Sequence, residues 1–141
     1  MTQSNATPTR PEPEVSRVGA AFWEAARNGK LLLQYCEACK ETIFYPRIRC
    51  PKCHSGKLDW IEASGKGKIY SYSVVFNNAP SAFMADMPYV VAIVRLEEGV
   101  QMLSNIVDCD PEKLQCDMPV EVDFQEVGSF RLPLFRPTGQ D

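Results

Sequence analysis

Cys36-Glu37-Ala38-Cys39 and Cys50-Pro51-Lys52-Cys53 are the two short segments that decide how the first half of this chain folds. A C-x-x-C pair forms a turn, or knuckle, in which two thiolates point at one metal ion. Two such pairs, separated here by ten residues, supply four ligands in a tetrahedron. We therefore predict one metal site, with the ligands Cys36, Cys39, Cys50 and Cys53.

Four thiolates complete the coordination shell of a tetrahedral metal. No position is left for water or substrate, so the sequence predicts a structural metal and not a catalytic one. Zinc is the expected ion, and iron in the same cage is an alternative that the ligand type leaves open. A segment of about 30 residues buries too little apolar surface to fold alone, so metal binding is expected to be coupled to folding.

A short helix is predicted before the ribbon. Ser16 has the side chain of an N-cap, apolar residues recur at helical spacing over 17–28, and Gly29 is placed to end the helix. Phe22 and Trp23 form an aromatic pair on it. Two interpretations stay open: the helix packs on its own domain, or it docks on a partner protein.

Five strand-like runs follow the ribbon. They are short and rich in β-branched and aromatic residues, which suits a five-stranded OB-fold barrel, with a small sandwich as the alternative. Alternation along 68–76 predicts one shared face for Tyr70, Tyr72, Val74 and Phe76. The run from Pro88 to Leu96 is apolar at nearly every position, as in a strand that is buried on both sides.

The predicted fold is therefore mainly β, with a short N-terminal helix, a rubredoxin-like zinc ribbon and a C-terminal OB-fold barrel. The expected segments are a flexible tail over 1–15, a helical hook over 16–30, the zinc ribbon over 31–64, the OB-fold over 65–137 and a tail over 138–141.

Length and composition limit the possible functions. A chain of 141 residues is one domain or one domain with a small appendage, which excludes large two-lobed catalytic folds. The longest apolar run covers only 89–94, too short to span a membrane. The first residues lack the pattern of a secretory signal, so we expect a cytoplasmic protein with reduced cysteines.

The charge is distributed unevenly. The net charge is −3, but residues 40–68 hold seven basic and three acidic side chains, whereas residues 69–141 hold four basic and eleven acidic ones. Proteins that bind nucleic acid usually spread Lys and Arg over the surface that meets phosphate. The acidic C-terminal half therefore argues against that class.

Few other residues carry chemical signals. His54 is the only histidine, follows a metal ligand, and is expected to be exposed beside the knuckle. Cys109 and Cys116 lie in an acidic region without a basic neighbour, so we expect inert thiols. The basic residues around the ribbon either offset the charge of the thiolate cage or meet phosphates of a ligand, and the candidates for phosphate contact include Arg47, Lys66 and Lys68.

The ordered motifs together resemble a known family. They comprise Phe22-Trp23-Glu24, Gly29-Lys30-Leu31, the cysteine ribbon, Trp60, Gly65-x-Gly67-x-Ile69-Tyr70-Ser71-Tyr72-Ser73, Pro88-Tyr89-Val90-Val91-Ala92, Leu96-Glu97-Glu98-Gly99 and Leu132-Pro133-Leu134-Phe135. In this combination the chain resembles the acyl-CoA-associated family of rubredoxin-like zinc ribbon plus OB-fold proteins over about residues 18–137.

The resemblance implies a non-catalytic accessory subunit of a thiolase-superfamily enzyme, such as a ketothiolase, aldolase or acyltransferase. It implies a heteromeric complex that acts on acyl-CoA thioesters, in which the partner supplies the catalytic Cys and His. Arg47, Lys66 and Lys68 are then candidates for contact with the phosphates of coenzyme A. The alternatives are a single-stranded nucleic-acid-binding protein, in which Tyr70, Tyr72, Phe76 and Tyr89 stack on bases, and a free-standing acyl-CoA carrier or hydrolase.

Overall fold

A computed structural model describes residues 11–77 and 79–138. Most of these residues form strands, which confirms the predicted mainly β fold. The elements are α1 (Ala20–Arg27), β1 (Leu32–Cys36), β2 (Thr42–Ile43), β3 (Leu58–Glu62), β4 (Lys66–Val75), β5 (Tyr89–Leu96), β6 (Gln101–Ile106), β7 (Pro119–Val127) and β8 (Phe130–Pro137), with 3-10 helices at Ser81–Asp86 and Pro111–Lys113.

The strands form two sheets. The first has three antiparallel strands in the order β2-β1-β3 and contains the ribbon. The second is a closed barrel in the order β4-β5-β6-β8-β7, in which only the β6–β8 pair is parallel. Because β4 also pairs with β7, the sheet closes into a barrel. This confirms the predicted five-stranded OB-fold barrel and excludes the alternative of a sandwich.

The N-terminal residues lie against the barrel. The helix α1 begins three residues later than predicted, because Gly19 donates its backbone N–H to the Ser16 side chain at 3.1 Å and so forms a separate turn. Phe22 is buried, and Trp23 packs edge-on against Phe130 with ring centroids 5.8 Å apart. In this structure the helix therefore packs on its own domain.

The predicted tails are described only in part. Glu12 accepts a hydrogen bond from the backbone N–H of Ser129 at 2.7 Å, which holds this part of the segment at the β7–β8 turn. Residues 1–10 and 139–141 of the predicted tails lie outside the described residues.

A β-bulge changes the predicted face of β4. The pairing with β5 shifts between Ile69 and Ser71, so Tyr70 points outward and is exposed. Tyr72 instead packs against the core and donates its hydroxyl to the Leu114 carbonyl at 2.9 Å. The prediction that Tyr70 and Tyr72 share a face was wrong, because one extra residue in a strand moves the following side chains to the opposite face.

The barrel encloses the main hydrophobic core. On β5 the side chains that point inward are buried, namely Val90, Ala92, Val94 and Leu96. The outward side chains Val91 and Ile93 are only half-buried, and Arg95 is exposed. Burial of β5 on both sides was therefore predicted wrongly, since one face of each strand in a small barrel looks outward.

One seam of the barrel is held by few strand contacts. The paired residues of β6 and β8 are Ile106 and Phe135 alone among the described residues. Three residues earlier on β6, the Leu103 backbone N–H donates to the Tyr45 hydroxyl at 3.1 Å. The ribbon thus covers part of an open strand edge, which would otherwise leave a backbone donor unpaired.

No helix among the described residues has the length and apolar character that a membrane span requires.

Gly67 offers a test of the close strand packing in the barrel. A methyl group at this position would lie 2.5 Å from the Arg95 carbonyl oxygen and 3.0 Å from a Val94 methyl. We expect Gly67→Ala to lower the free energy of unfolding by about 1–3 kcal/mol, as overpacking does. Gly56→Ala is the matched control, because nothing lies within 4 Å of the added methyl. Equal urea-unfolding midpoints for the two variants would contradict the described packing.

Candidate metal centre

The four predicted ligands meet at one point. The Sγ atoms of Cys36, Cys39, Cys50 and Cys53 all lie within 4.8 Å of one another, and the pairs Cys36–Cys53 and Cys39–Cys50 are each 3.6 Å apart. Zinc–sulfur bonds of about 2.3 Å in a tetrahedron place neighbouring sulfurs about 3.8 Å apart. The donor set and its spacing therefore fit one tetrahedral zinc ion.

The two knuckles have the same backbone geometry. Cys36 donates its N–H to the Glu41 carbonyl at 2.8 Å, and Cys50 donates to Ser55 at 2.9 Å. Four residues after each of these cysteines, the N–H of Lys40 or His54 donates back to the cysteine carbonyl, at 2.8 and 2.9 Å. Each knuckle is therefore a hydrogen-bonded loop that directs its two thiolates inward.

Lys40 and His54 close the knuckles in a conformation that the sequence analysis missed. Both have φ of 65°, the left-handed region in which glycine is favoured. His54 is exposed, and its carbonyl accepts a hydrogen bond from Arg49 at 3.2 Å. Lys40 and His54 each lie four residues after the first cysteine of a pair, and this equal spacing was the only sequence signal for a shared conformation. Glycine, the residue that usually marks positive φ, is absent from both positions.

Charge explains why this cage needs a cation. Burial raises the pKa of the Cys39 thiol to about 12, and hydrogen bonds among the cage sulfurs add to the shift. The pKa of Cys50 falls to about 7, because the backbone N–H groups of Cys53 and Lys52 donate to its sulfur. The surroundings thus favour the thiolate at Cys50 and the thiol at Cys39. Because a metal binds the thiolate form, metal binding must release the proton from Cys39.

The ribbon end has little hydrophobic core of its own. Its buried residues are Cys36, Ile43 and Cys50, packed with Cys39 and Leu58, and this small cluster is separate from the main core. Three of its five members are metal ligands. A bound metal would therefore replace most of the core that such a small unit lacks.

A buried glutamine holds the segment between the knuckles. The Gln34 amide donates to the Arg47 carbonyl at 2.9 Å and accepts from the Arg47 N–H at 2.7 Å. Gln34 is buried, so this pair satisfies a polar side chain and two backbone groups at once. The Gln34 amide makes the same two hydrogen bonds to Arg47 that a residue of a neighbouring β-strand would make, and these bonds fix the backbone at Arg47.

The candidate phosphate contacts do not form one cluster. Lys66 and Lys68 are exposed and line an open groove of about 570 Å³ together with Arg95, whose guanidinium lies 4.5 Å from the centre of the Tyr70 ring. Arg47 is exposed on the ribbon and does not line this groove.

The remaining two cysteines are not part of the cage. Burial raises the pKa of Cys109, and the carboxylates of Asp110 and Asp108 raise it further. These effects favour the neutral, unreactive thiol, as the sequence analysis expects. Cys116 is exposed.

Comparison with family models gives two adjacent matches. Residues 23–59 match the ChsH2 rubredoxin-like zinc ribbon domain, and residues 60–125 match the C-terminal OB-fold domain of ChsH2. A solved structure described as Ltp2-ChsH2(DUF35) aldolase contains a similar chain. It is 41% identical, with a TM-score of 0.81, over 89% of this chain and 98% of that one.

Two curated relatives are also similar. A probable enoyl-CoA hydratase alpha subunit from Thermomonospora curvata is 40% identical over 97% of this chain, but the match spans only 43% of that subunit. A DUF35 domain-containing scaffold protein from Methanothermobacter thermautotrophicus is 48% identical over 65% of this chain and 69% of that protein.

Loss of one cage ligand should release the metal. We expect Cys39→Ser to abolish zinc binding and to weaken the near-UV circular dichroism of the ribbon, whereas Cys116→Ser, outside the cage, keeps the metal. A strong chelator or acid should act like Cys39→Ser, because protons compete for the thiolates. Metal analysis and near-UV spectra check this. A metal-free chain with an unchanged spectrum would contradict a structural metal.

The left-handed position of His54 gives a second prediction. We expect His54→Gly to keep the zinc and the stability of the chain, because glycine adopts positive φ without strain. His54→Val should lower the free energy of unfolding by about 1–2 kcal/mol, the cost of a left-handed conformation for a side chain that fits it badly. Zinc content and urea unfolding measure both effects. Loss of metal in the glycine variant would point instead to a chemical role for the imidazole.

Proposed function

The chain belongs to the ChsH2 family of zinc ribbon and OB-fold proteins, and from this membership we propose that it is a non-catalytic accessory subunit of a thiolase-superfamily enzyme. In this proposal the two proteins form a heteromeric complex that acts on acyl-CoA thioesters. The chain shapes the complex and its acyl-CoA channel, and the partner supplies the catalytic groups. A cytoplasmic location goes with the proposal and stays a prediction.

The observation that carries the proposal is the match to a chain of the structure described as Ltp2-ChsH2(DUF35) aldolase, which covers 89% of this chain and so extends over both the ribbon and the barrel. Aldolases are among the partner classes that the sequence resemblance implies. The relative described as a scaffold protein supports the same non-catalytic role.

The chemistry of the metal centre supports this role. Four thiolates fill a tetrahedral shell, so a bound zinc would hold the ribbon together and would leave no position for a reacting water. His54 has a backbone role as the last residue of a knuckle. Both features favour a subunit that positions other groups.

We also propose that the groove at Lys66 and Lys68 meets the phosphates of coenzyme A. Its basic side chains are Lys66, Lys68 and Arg95, although Glu97, Asp117 and Glu121 also line it. Glu121 is paired with Arg136 at 2.9 Å, which reduces its effect on an anionic ligand. For Arg47 the same contact stays a prediction, since this residue lies on the ribbon.

The positions of the aromatic residues do not favour nucleic-acid binding. Stacking on bases requires exposed rings. Tyr72 packs against the core with its hydroxyl on the Leu114 carbonyl, and Tyr89 is half-buried against Phe83, with ring centroids 5.7 Å apart. Of Tyr70, Tyr72, Phe76 and Tyr89, the four rings that could stack on bases, these two are therefore already engaged within the chain.

Co-purification tests the proposed complex. The tagged chain, expressed with the thiolase-superfamily protein encoded beside it, should elute with that protein as one heteromeric species. Removal of the chain should lower the turnover of the acyl-CoA substrate by the partner. A chain that elutes alone, beside an enzyme that is fully active without it, would overturn the proposal.

Charge reversal tests the coenzyme A groove. In the intact complex, Lys66→Glu with Lys68→Glu should raise KM for the acyl-CoA several-fold at unchanged kcat, because the lost contacts bind the phosphates and not the reacting group. Lys57→Glu, an exposed ribbon position outside the groove, is the control. Equal KM values in the Lys66→Glu, Lys68→Glu double variant and in Lys57→Glu would show that Lys66 and Lys68 do not bind the phosphates.

A further inference from the structure

The segment between β2 and the second knuckle exposes an unusual side chain. We call residues 45–49, Tyr-Pro-Arg-Ile-Arg, the ribbon loop. Ile48 is 78% exposed, the largest fraction among the exposed large apolar side chains of the described residues. Arg47 and Arg49, on either side of it, are also exposed. Most of the Ile48 side chain is therefore available to a partner.

Several contacts hold the backbone of the ribbon loop. The buried Gln34 amide pairs with both backbone groups of Arg47, at 2.7 and 2.9 Å. At the start of the loop the Tyr45 hydroxyl accepts the Leu103 N–H, and the residue after the loop is the ligand Cys50. Arg49 also donates to the His54 carbonyl.

This fixation matters for binding. A flexible loop must lose backbone conformational entropy when it binds a partner, whereas a loop whose backbone is already held in place loses less. Tyr45 and Leu103, which are 50% and 58% exposed, extend the apolar surface from the loop onto the barrel. The arrangement has the features of an interface hot spot, in which a rigid apolar anchor is flanked by Tyr and Arg.

The charge of the ribbon loop indicates the kind of surface that it fits. No carboxylate among the described residues forms an ion pair with Arg47 or Arg49, whereas nearby Lys52 is paired with Glu41 at 3.0 Å. A site for phosphate alone would gain nothing from an exposed isoleucine between the arginines. A protein surface with an apolar pocket and an acidic rim complements both features.

We infer that the ribbon loop is the element that docks on the partner enzyme, with Ile48 inserted into an apolar pocket whose rim carries carboxylates. This inference rests on the proposed function and names the surface that the proposed complex uses.

The test measures the affinity of this chain for the thiolase-superfamily protein encoded beside it. Ile48→Asp should weaken binding at least about 30-fold, the effect of losing a hot-spot side chain. Arg47→Glu should lower the association rate constant and reduce its dependence on ionic strength. Met84→Asp is the control, because Met84 is 56% exposed on the Ser81–Asp86 helix, outside the ribbon loop, and should bind like the unaltered chain.

The design separates failure of the docking surface from failure of the proposed function. Zinc content and near-UV spectra first confirm that each variant is folded, as expected for exposed positions. If the unaltered chain binds and Ile48→Asp and Arg47→Glu bind equally well, the docking surface is wrong and the proposed function stands. If the unaltered chain does not bind, both are overturned. A loss of affinity in Met84→Asp equal to that in Ile48→Asp would also contradict the assignment.

Discussion

Four cysteine sulfurs within 4.8 Å of one another cannot all be anionic unless a cation lies between them. Burial and hydrogen bonds to the other cage sulfurs raise the pKa of the Cys39 thiol to about 12, so without a metal the neutral thiol is favoured there. A tetrahedral zinc ion removes this conflict and joins two knuckles that have almost no other common core. The joining of the two knuckles depends on that site, whereas the Gln34 side chain and the β1–β2 pairing hold the segment between them.

The ribbon in turn helps to complete the barrel. Leu31 and Leu33, next to and within β1, belong to the main core together with barrel residues such as Ile69 and Phe135. The Tyr45 hydroxyl covers a backbone donor at the open edge of β6. The ribbon and the barrel are therefore linked by packing, so we expect a change at the cage to reach the surface formed by the ribbon loop and β6.

The proposed function assigns the two parts different tasks. The ribbon loop presents an aliphatic anchor and two arginines, and the groove at Lys66 and Lys68 presents basic groups on the barrel. Separate surfaces allow one small chain to bind a protein partner and a phosphate-bearing ligand together. This arrangement suits a subunit that acts through position and not through a reactive group of its own.

The spacing of the cysteines and the alternation of the later strands were sufficient to predict that the four cysteines cluster and that the later strands form a barrel. The orientation of Tyr70 could not be predicted, because a bulge depends on how two strands pair and not on the strand alone. The positive φ of Lys40 and His54 could not be predicted either, because neither position is a glycine, the residue that usually indicates this conformation. Gln34 lies in an apolar strand, and its partner is the backbone of a residue 13 positions away, a contact that leaves no local pattern.

In the proposed complex, a metal-held ribbon presents the docking surface to the partner enzyme. The most direct test compares the dissociation constant of that enzyme for the zinc-loaded chain and for the chain stripped of zinc. Removal of zinc should weaken binding at least about 30-fold, because Cys50 then no longer anchors the end of the ribbon loop and the Ile48 side chain becomes mobile. Equal dissociation constants for the two forms would show that the metal does not support the docking surface.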